Sequence, residues 1–254
     1  MRAIILAAGR GSRMGPLGGE RPKCLVELEG KRLIERQIAA LRGGGVDDIA
    51  VVRGYRAEMI DITGVYYFAN ERWAETNMVM SLFAAASWLR SAPAVVSYSD
   101  IFYRSELVRD LAAAEGQLVV AFDRDWSRLW KRRFVDPLAD AETFRIDESG
   151  RLLEIGGKTD RIEDIQGQYM GLFKLTPAAW SQVEALLNIL EPSIRDRLDV
   201  TGLLRRLLAA NEIEIGTFGA HGQWGEIDNP DDVALYATMA RSGELLIDDA
   251  DLPA

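Results

Sequence analysis

The sequence is poor in the residues that build disulfide frameworks and histidine-based sites. Its 254 residues include one cysteine, Cys24, and one histidine, His221. A single cysteine excludes an internal disulfide framework, and Cys24 is best interpreted as a small packing residue. A single histidine argues against a His-based metal cluster and against a Ser-His-Asp triad. We interpret His221, which lies in a glycine-containing segment, as a loop residue.

Long apolar runs and blocks of positive charge are also missing. No stretch approaches the roughly 20 apolar residues of a membrane span. Arg10 and Arg13 interrupt the N-terminal apolar run too early for a signal peptide, so a cytoplasmic protein without membrane contacts is expected. The net charge is −9 and no run of five or six Lys and Arg occurs, which argues against nucleic-acid binding. An acidic protein that binds an anionic substrate must place its cations locally, and we expect it to recruit a metal ion.

The first twenty-five residues contain the most informative pattern. The apolar run Arg2–Ala8 predicts a buried strand, and it breaks into the glycine-containing segment Gly9–Arg13. Lys23 follows about ten residues later, in Arg21-Pro22-Lys23. Glycines let backbone N–H groups approach phosphate oxygens, and Arg13 and Lys23 can neutralise phosphate charge. This pattern suits a nucleoside triphosphate and predicts a nucleotide-handling enzyme.

Apolar segments alternate with helical patterns through the first half of the chain. This alternation predicts a doubly wound α/β sheet. The predicted helices are one marked by Leu33 to Leu41, one over Asn77–Leu89 and one around Leu107 and Leu111. The predicted strands are Arg2–Ala8, Ile49–Val52, Val65–Phe68, Ala94–Tyr98 and Leu118–Phe122.

The pattern changes in the second half. A turn at Glu148-Ser149-Gly150 between two short apolar segments predicts a hairpin. We assign a single domain to residues 1–242, with a small hairpin-containing lobe within about 123–175. Residues 243–254 form an acidic tail that is expected to be loosely attached. The further predicted elements are strands at Gln168–Phe173, Ile213–Phe218 and Gln223–Ile227, and helices at Pro177–Leu190, at Thr201–Ala210 and after Asn229-Pro230.

Carboxylates follow two of the predicted strands. Asp100 follows Ala94–Tyr98, and ligands of open α/β sheets bind at the carboxyl ends of the strands. Asp228 ends a second apolar segment, and Glu226 points to the same side two residues earlier. Carboxylates at two strand ends can share a divalent ion, and oxygen ligands suit Mg²⁺. A cap or turn role for Asp100 is the alternative.

Two motifs resemble known signatures only in part. Gly156-Gly157-Lys158-Thr159 looks like the tail of a P-loop, but the earlier glycine would fall at Leu152. Lys158 is still a candidate for the phosphate of a second substrate. Asp123 and Asp125 form an Asp-x-Asp pattern that would suit a sugar-nucleotide glycosyltransferase, although a solvated turn is the better interpretation.

Three aromatic residues have two interpretations. Trp126 and Trp130 are four residues apart, and Tyr169 lies further along the chain. They can form a helical core stripe, or they can form the wall of a substrate pocket that holds a cation by cation–π attraction.

The segment Leu6–Arg13, followed by Pro22-Lys23, resembles the signature of the nucleotidyltransferases that make sugar nucleotides and CDP-activated compounds. The segments 75–82 and 224–228 are similar to those of the small-phosphate cytidylyltransferases. The bacterial phosphocholine and aminoethylphosphonate enzymes are the nearest. The segments 126–144 and 165–171 also resemble enzymes that load CMP onto phosphonates or phosphorylated glutamine.

This resemblance extends to about Tyr236 and implies a Rossmann-like nucleotidyltransferase fold. In that fold a central, mostly parallel mixed sheet is flanked by helices, and the hairpin lobe binds the acceptor. The implied metal is Mg²⁺ on Asp100 and Asp228, which with Lys23 and Arg13 make up the catalytic set. The implied nucleotide-binding residues are Leu6, Ala7, Ala8, Gly9, Gly11, Ser12, Arg13, Lys23, Asn77 and Ser81. The implied acceptor-binding residues are Lys158, Trp126, Trp130, Tyr169 and Glu226.

The expected reaction is transfer of CMP from CTP to a small phosphonate or phosphorylated acceptor, with release of pyrophosphate. 2-Aminoethylphosphonate, phosphocholine and phosphoglutamine are the acceptors considered. The sequence does not fix the oligomeric state, for which a homodimer is one candidate. No general base is needed, because a phosphate monoester is mostly ionised near pH 7. The alternatives are a sugar-1-phosphate nucleotidyltransferase that makes an NDP-sugar, a glycosyltransferase and a nucleotide-binding sensor. The candidate partners for an acceptor ammonium are Asp136, Asp140, Glu142 and Glu163.

Overall fold

The computed structural model describes residues 1–11 and 21–247. Ser12 and Arg13, which are predicted to bind the nucleotide, lie outside this part of the chain. Thirteen strands are formed by the residues described. They are β1 (Arg2–Ala7), β2 (Glu27–Leu28), β3 (Lys31–Arg32), β4 (Asp48–Arg53), β5 (Tyr66–Ala69), β6 (Ala94–Tyr98), β7 (Ile101–Tyr103), β8 (Leu118–Asp123), β9 (Phe144–Ile146), β10 (Leu152–Ile155), β11 (Gln168–Leu175), β12 (Ile215–Ala220) and β13 (Trp224–Glu226).

The helices flank the strands in an α/β order. A short 3₁₀ turn over Lys23–Leu25 precedes them. The α-helices of the described residues are α1 (Leu33–Gly43), α2 (Met78–Ala84), α3 (Ala86–Leu89), α4 (Ser105–Ala113), α5 (Trp126–Arg133), α6 (Pro177–Ile189), α7 (Pro192–Arg195), α8 (Val200–Ala210) and α9 (Pro230–Arg241).

Seven strands form one mixed sheet in the order β12-β8-β11-β6-β1-β4-β5. The pairs β6-β1, β1-β4, β4-β5 and β12-β8 are parallel. Strand β11 is antiparallel to both β6 and β8. This confirms the predicted mostly parallel mixed sheet.

The core lies on both faces of this sheet. Side chains of a strand point alternately to opposite faces. Ala3, Ile5 and Ala7 of β1 therefore join one apolar cluster, and Ile4 and Leu6 join the other. Because both faces of β1 are covered, its sequence is an unbroken apolar run rather than an alternating one.

The structure corrects several sequence predictions. The helix predicted over Asn77–Leu89 is two helices, α2 and α3, that meet at Ala85. Strand β7 was not predicted, since its three residues are too few to show a period. Strand β13 does not join the main sheet but pairs antiparallel with β7.

Of two further sequence predictions, the one for the hairpin is confirmed and the one for residues 243–247 is wrong. The predicted hairpin is confirmed, because β9 and β10 pair antiparallel. The expectation of a loose tail is wrong for residues 243–247, because Leu245 is buried and Glu244 forms ion pairs with Arg128 and Arg132 of α5.

Among residues 1–11 and 21–247, no helix has both the length and the apolar character needed to cross a bilayer.

Candidate active site

The turn between β6 and β7 positions Asp100 at the carboxyl end of a central strand. The fully buried side chain of Gln37 of α1 contacts this turn. Its side-chain amide donates to the carbonyl oxygens of Tyr98 at 2.6 Å and Ile101 at 2.7 Å. The two carbonyl groups on either side of Asp100 are thus fixed by one side chain.

Asp228 reaches the same place through the β7-β13 ribbon. The backbone N–H of Ile227 donates to the carbonyl oxygen of Asp100 at 2.9 Å. Helix α9 begins immediately afterwards, and Asn229 caps it. Asp232 in its first turn accepts the N–H of Asp228 at 2.8 Å. The strand pairing and the helix cap together fix the backbone of Asp228 beside Asp100.

Asp100, Glu226 and Asp228 form a carboxylate cluster. One oxygen from each residue lies within 4.8 Å of the others. The ammonium of Lys23 lies 2.7 Å from oxygens of both Asp100 and Asp228. Within residues 1–11 and 21–247, no other group of acidic, cysteine or histidine side chains has this metal-ligand spacing. The structure therefore brings together four of the residues singled out in the sequence.

The ionisation of these groups reflects their crowding. Burial raises the pKa of Glu226 to about 8, and the carboxylates of Asp228 and Asp100 add to that rise. Burial lowers the pKa of Lys23, but the carboxylates of Asp100 and Asp228 outweigh it and hold the pKa above its ordinary value. Oδ1 of Asp100 is buried without a hydrogen-bond partner among the described residues. The cluster is anionic and has an oxygen available to a further cation.

Arg133 is a functional candidate that the sequence did not reveal. Its guanidinium is fully buried and contacts Glu226, Asp228 and Asp232. It stands in the basic run Lys131-Arg132-Arg133, which has the appearance of a solvated helix end. Only its position at the carboxylate cluster distinguishes it from its neighbours.

The N-terminal loop begins against Lys23. Gly11 has a φ of +65°, and a Cβ there would lie 2.9 Å from Cβ of Lys23. Glycine is therefore required at position 11 both by the backbone conformation and by the close approach. The preceding Ala8 is fixed by its carbonyl oxygen, which accepts the N–H of Tyr55 at 2.9 Å. Gly11 of the predicted nucleotide loop thus lies against the side chain of Lys23, which contacts the carboxylate cluster.

A cavity of about 210 Å³ opens beside the carboxylate cluster. Its walls are acidic and aromatic, and among the described residues no Lys, Arg or His side chain lines it. The acidic lining residues are Asp140, Glu142, Glu226 and Asp228, and the aromatic ones are Tyr98, Trp130, Phe144, Tyr169 and Trp224.

Glu142 is held at the cavity wall by its backbone. The amide of Gln168 accepts the N–H of Glu142 at 3.1 Å and donates to its carbonyl oxygen at 2.7 Å. The carboxylate has no hydrogen-bond or ion-pair partner among residues 1–11 and 21–247. Burial raises its pKa, and the nearby ammonium of Lys158 opposes that rise. Glu142 is therefore a preformed acceptor of hydrogen bonds.

The predicted acceptor residues separate into two groups. Trp130 and Tyr169 line the cavity with Glu226. Trp126 is buried outside the cavity lining, with its indole N–H directed at the carbonyl oxygen of Ile165. Lys158 is also outside this lining and donates to the carbonyl oxygens of Asp140 and Ala141.

Asn77 and Ser81 lie on α2, outside the cavity lining. Asn77 caps the helix by accepting the N–H of Met78 at 2.8 Å. The buried hydroxyl of Ser81 accepts a hydrogen bond from Asn70 at 3.1 Å. Both side chains have structural partners here.

The Asp-x-Asp motif is already satisfied by local hydrogen bonds. Asp123 is buried and accepts the indole N–H of Trp224 at 2.9 Å and the N–H of Asp125 at 2.8 Å. Asp125 is exposed and lies 3.1 Å from the imidazole of His221, which is in a loop as expected. This arrangement favours the turn interpretation over a glycosyltransferase metal motif.

Comparisons with known proteins show what this chain is similar to. A family model described as the MobA-like NTP transferase domain matches residues 3–187. CTP:phosphoglutamine cytidylyltransferase of Campylobacter jejuni is 35% identical over 257 residues, which cover 92% of this chain and 98% of the relative. Choline-phosphate cytidylyltransferase of Streptococcus pneumoniae is 35% identical over 116 residues, 43% of this chain and 51% of the relative. The solved inositol-1-phosphate CTP transferase of T. maritima has a TM-score of 0.74 at 21% identity, covers 96% of both chains and shows a common fold.

Proposed function

The chain belongs to the MobA-like NTP transferase family, and from this membership we propose that it transfers CMP from CTP to a small phosphorylated or phosphonate acceptor. It is a nucleotidyltransferase, as the resemblance of its N-terminal segment predicted. The main support for the proposal is that Lys23, Asp100, Glu226 and Asp228 come together between Gly11 and an open cavity. The full-length similarity to a CTP-dependent enzyme supports cytidine as the base.

The donor set of the carboxylate cluster fits Mg²⁺. All of its donors are carboxylate oxygens, which hard divalent cations prefer. Near pH 7 the pKa of about 8 favours protonated Glu226, and the three aspartates Asp100, Asp228 and Asp232 then carry one more negative charge than Lys23 and Arg133 balance. The buried Oδ1 of Asp100, which has no hydrogen-bond partner among residues 1–11 and 21–247, can serve as a ligand atom. We propose that Asp100 and Asp228 hold the ion, with Glu226 within reach.

The reaction requires alignment and charge neutralisation rather than proton transfer. An acceptor oxygen forms a bond to the α-phosphorus while the bond to the β-phosphate oxygen breaks, and pyrophosphate leaves with that electron pair. The acceptor is already ionised near pH 7, so no side chain needs to remove a proton. Mg²⁺ supplies Lewis-acid neutralisation of phosphate charge when it is bound.

Two residues of the chain, Lys23 and Gly11, contribute to charge neutralisation and to the placement of the triphosphate. Lys23 holds a positive charge between Gly11 and the carboxylate cluster, because its carboxylate partners keep it protonated. Gly11 allows the loop to lie against the Lys23 side chain. Both features favour a triphosphate placed over the cluster and an acceptor approaching from the cavity.

The cavity favours an acceptor with a cationic end. The phosphate or phosphonate must approach the cations at the cluster, so the rest of the molecule faces Glu142, Asp140 and the aromatic walls. An ammonium can donate to the unpaired carboxylate of Glu142 and lie against Trp130 or Tyr169. The volume of about 210 Å³ lies below the range typical of drug-sized ligands, which favours a small acceptor. 2-Aminoethylphosphonate meets all of these requirements. Phosphocholine meets those of size, charge and aromatic contact, but its quaternary nitrogen has no N–H to donate to Glu142.

Pyrophosphate release from an acceptor panel tests the proposal. The purified protein is incubated with Mg²⁺, each of CTP, UTP, GTP and dTTP, and each of 2-aminoethylphosphonate, phosphocholine, phosphoglutamine, ethylphosphonate and glucose 1-phosphate. We expect release with CTP and an ammonium-bearing acceptor, and at least tenfold less with ethylphosphonate. Preference for a sugar phosphate would establish the NDP-sugar alternative. Nucleotide binding without release under every condition would indicate a sensor.

A further inference from the structure

Arg133 connects the lobe that forms the cavity to the carboxylate cluster. It is the last residue of α5, and its side chain has no solvent-accessible surface. Its guanidinium nitrogens lie 3.4 Å from Glu226 and 3.3 Å from Asp228. These contacts join two carboxylates to a helix that precedes them by more than ninety residues.

A third contact braces the same site indirectly. Nε of Arg133 lies 2.9 Å from Oδ1 of Asp232. The other oxygen of Asp232 accepts the backbone N–H of Asp228 at 2.8 Å. Arg133 therefore fixes the side chain of Asp228 directly and its backbone through Asp232.

Aromatic packing fixes the guanidinium itself. It lies 5.2 Å from the ring centroid of Trp130 and 5.1 Å from that of Phe134. Trp130 is also a wall of the cavity. The adjacent Arg132 on the same helix points elsewhere and forms an ion pair with Glu244. Only Arg133 of this basic run contacts the cluster.

We propose that Arg133 is a positioning residue that holds Glu226 and Asp228 in the geometry needed to bind the divalent cation. This inference rests on the proposed function, and it assigns Arg133 no contact with the substrates. Four acidic side chains would otherwise repel one another, and a planar guanidinium can bind several carboxylate oxygens at once. Loss of residues that orient metal ligands typically lowers metal affinity or activity by about 10–100-fold.

Direct metal binding tests the proposal without relying on turnover. Free Mn²⁺ is measured by electron paramagnetic resonance during titration of wild type, Arg133→Met, Arg133→Lys and the matched control Arg132→Met. We expect the Mn²⁺ dissociation constant to rise about 10–100-fold in Arg133→Met. The rise should be smaller in Arg133→Lys, which keeps the positive charge but loses the planar guanidinium that can bind several carboxylate oxygens. Arg132→Met should bind Mn²⁺ like wild type. The Mg²⁺ concentration at half-maximal pyrophosphate release should shift in the same order.

The outcomes separate this inference from the proposed function. Thermal unfolding establishes that each variant is folded. If Arg133→Met does not fold, the Mn²⁺ affinity of Arg133→Lys is compared with that of the wild type instead. An unchanged Mn²⁺ affinity in folded Arg133 variants overturns the inference even if the wild type releases pyrophosphate. A wild type that binds Mn²⁺ at the cluster but reacts with no acceptor overturns only the function. A wild type that binds no Mn²⁺ overturns both the metal assignment and the role of Arg133.

Discussion

The backbone N–H of Ile227 donates a hydrogen bond to the carbonyl oxygen of Asp100 at 2.9 Å. This single bond extends the pairing of β13 with β7 by one step and places Asp228 next to Asp100. The two carboxylates then share the ammonium of Lys23, although 77 and 205 residues separate them from it. The site is therefore a product of strand pairing rather than of local sequence.

The two aspartates of the cluster should be essential for turnover. Asp100→Asn and Asp228→Asn keep the side-chain shape but remove a charged ligand of the proposed metal ion. We expect pyrophosphate release to fall by more than about 100-fold, beyond the loss typical of residues that only orient ligands. The exposed Asp110→Asn on α4 is the matched control and should retain wild-type turnover. Turnover near wild type in both cluster variants would disprove the metal assignment.

Glu142 should select for acceptors that carry an ammonium. Glu142→Gln removes the charge of an unpaired carboxylate in the cavity wall and should raise KM for 2-aminoethylphosphonate about 10–100-fold. This is the range expected from the loss of one hydrogen bond to a charged group. The reaction with ethylphosphonate, which has no ammonium, should change little. Glu163→Gln is the control, since Glu163 is exposed and lies outside the cavity lining. An equal loss with both phosphonates would point to a structural role.

Gln37 should stabilise the turn that presents Asp100. Gln37→Met keeps the side-chain length but removes the amide donor of the Ile101 carbonyl group, while the Tyr98 carbonyl group keeps the hydroxyl of Ser97 as a donor. The free energy of unfolding should therefore fall by about 1 kcal/mol. Urea denaturation measures this cost. Gln182→Met on the exposed face of α6 is the matched control and should change stability by less than about 0.5 kcal/mol. We also expect a higher Mg²⁺ requirement in Gln37→Met, and a fully stable variant would contradict the role of this amide.

Cys24 should make stability fall at alkaline pH. Burial raises the pKa of its thiol from an ordinary value near 9 to about 12. The folded state therefore keeps the proton while the unfolded chain loses it as pH rises above 9, so this contribution is complete below pH 9 and declines above it. Between pH 8 and 10 the wild type should lose about 1.4 kcal/mol more than Cys24→Ala. Urea denaturation at both pH values measures the difference, and equal losses would show that the thiol does not titrate on unfolding.

Much of the fold could be predicted from patterns that a single segment contains. The apolar run of β1 predicted a strand covered on both faces, and the turn residues between β9 and β10 predicted a hairpin. Strand β7 was not predicted, because three residues are too few to show the two-residue alternation of a strand. The attachment of residues 243–247 escaped because it depends on Arg128 and Arg132 of α5 rather than on the segment itself.

The sequence predicted which residue types form the candidate site, but it did not predict which side chains contact one another there. Strand ends pointed to Asp100 and Asp228, and the glycine-rich loop pointed to Lys23. Nothing in the sequence distinguished Arg133 from Arg132, because both belong to one basic run whose members differ only in which way they point. Trp126 and Trp130 were likewise equivalent in sequence. Both are buried in one apolar cluster, and only the packing of α5 brought Trp130 to the cavity as well.

The sequence by itself determined the alternating elements and the family, because each depends on residues close together in the chain. The tertiary structure alone decided which charges meet. The ion pairs of Lys23, the buried guanidinium of Arg133 and the unpaired carboxylate of Glu142 depend on strands that pair across as many as two hundred residues. Electrostatic interaction falls with distance and strengthens with burial, and both are properties of the folded chain.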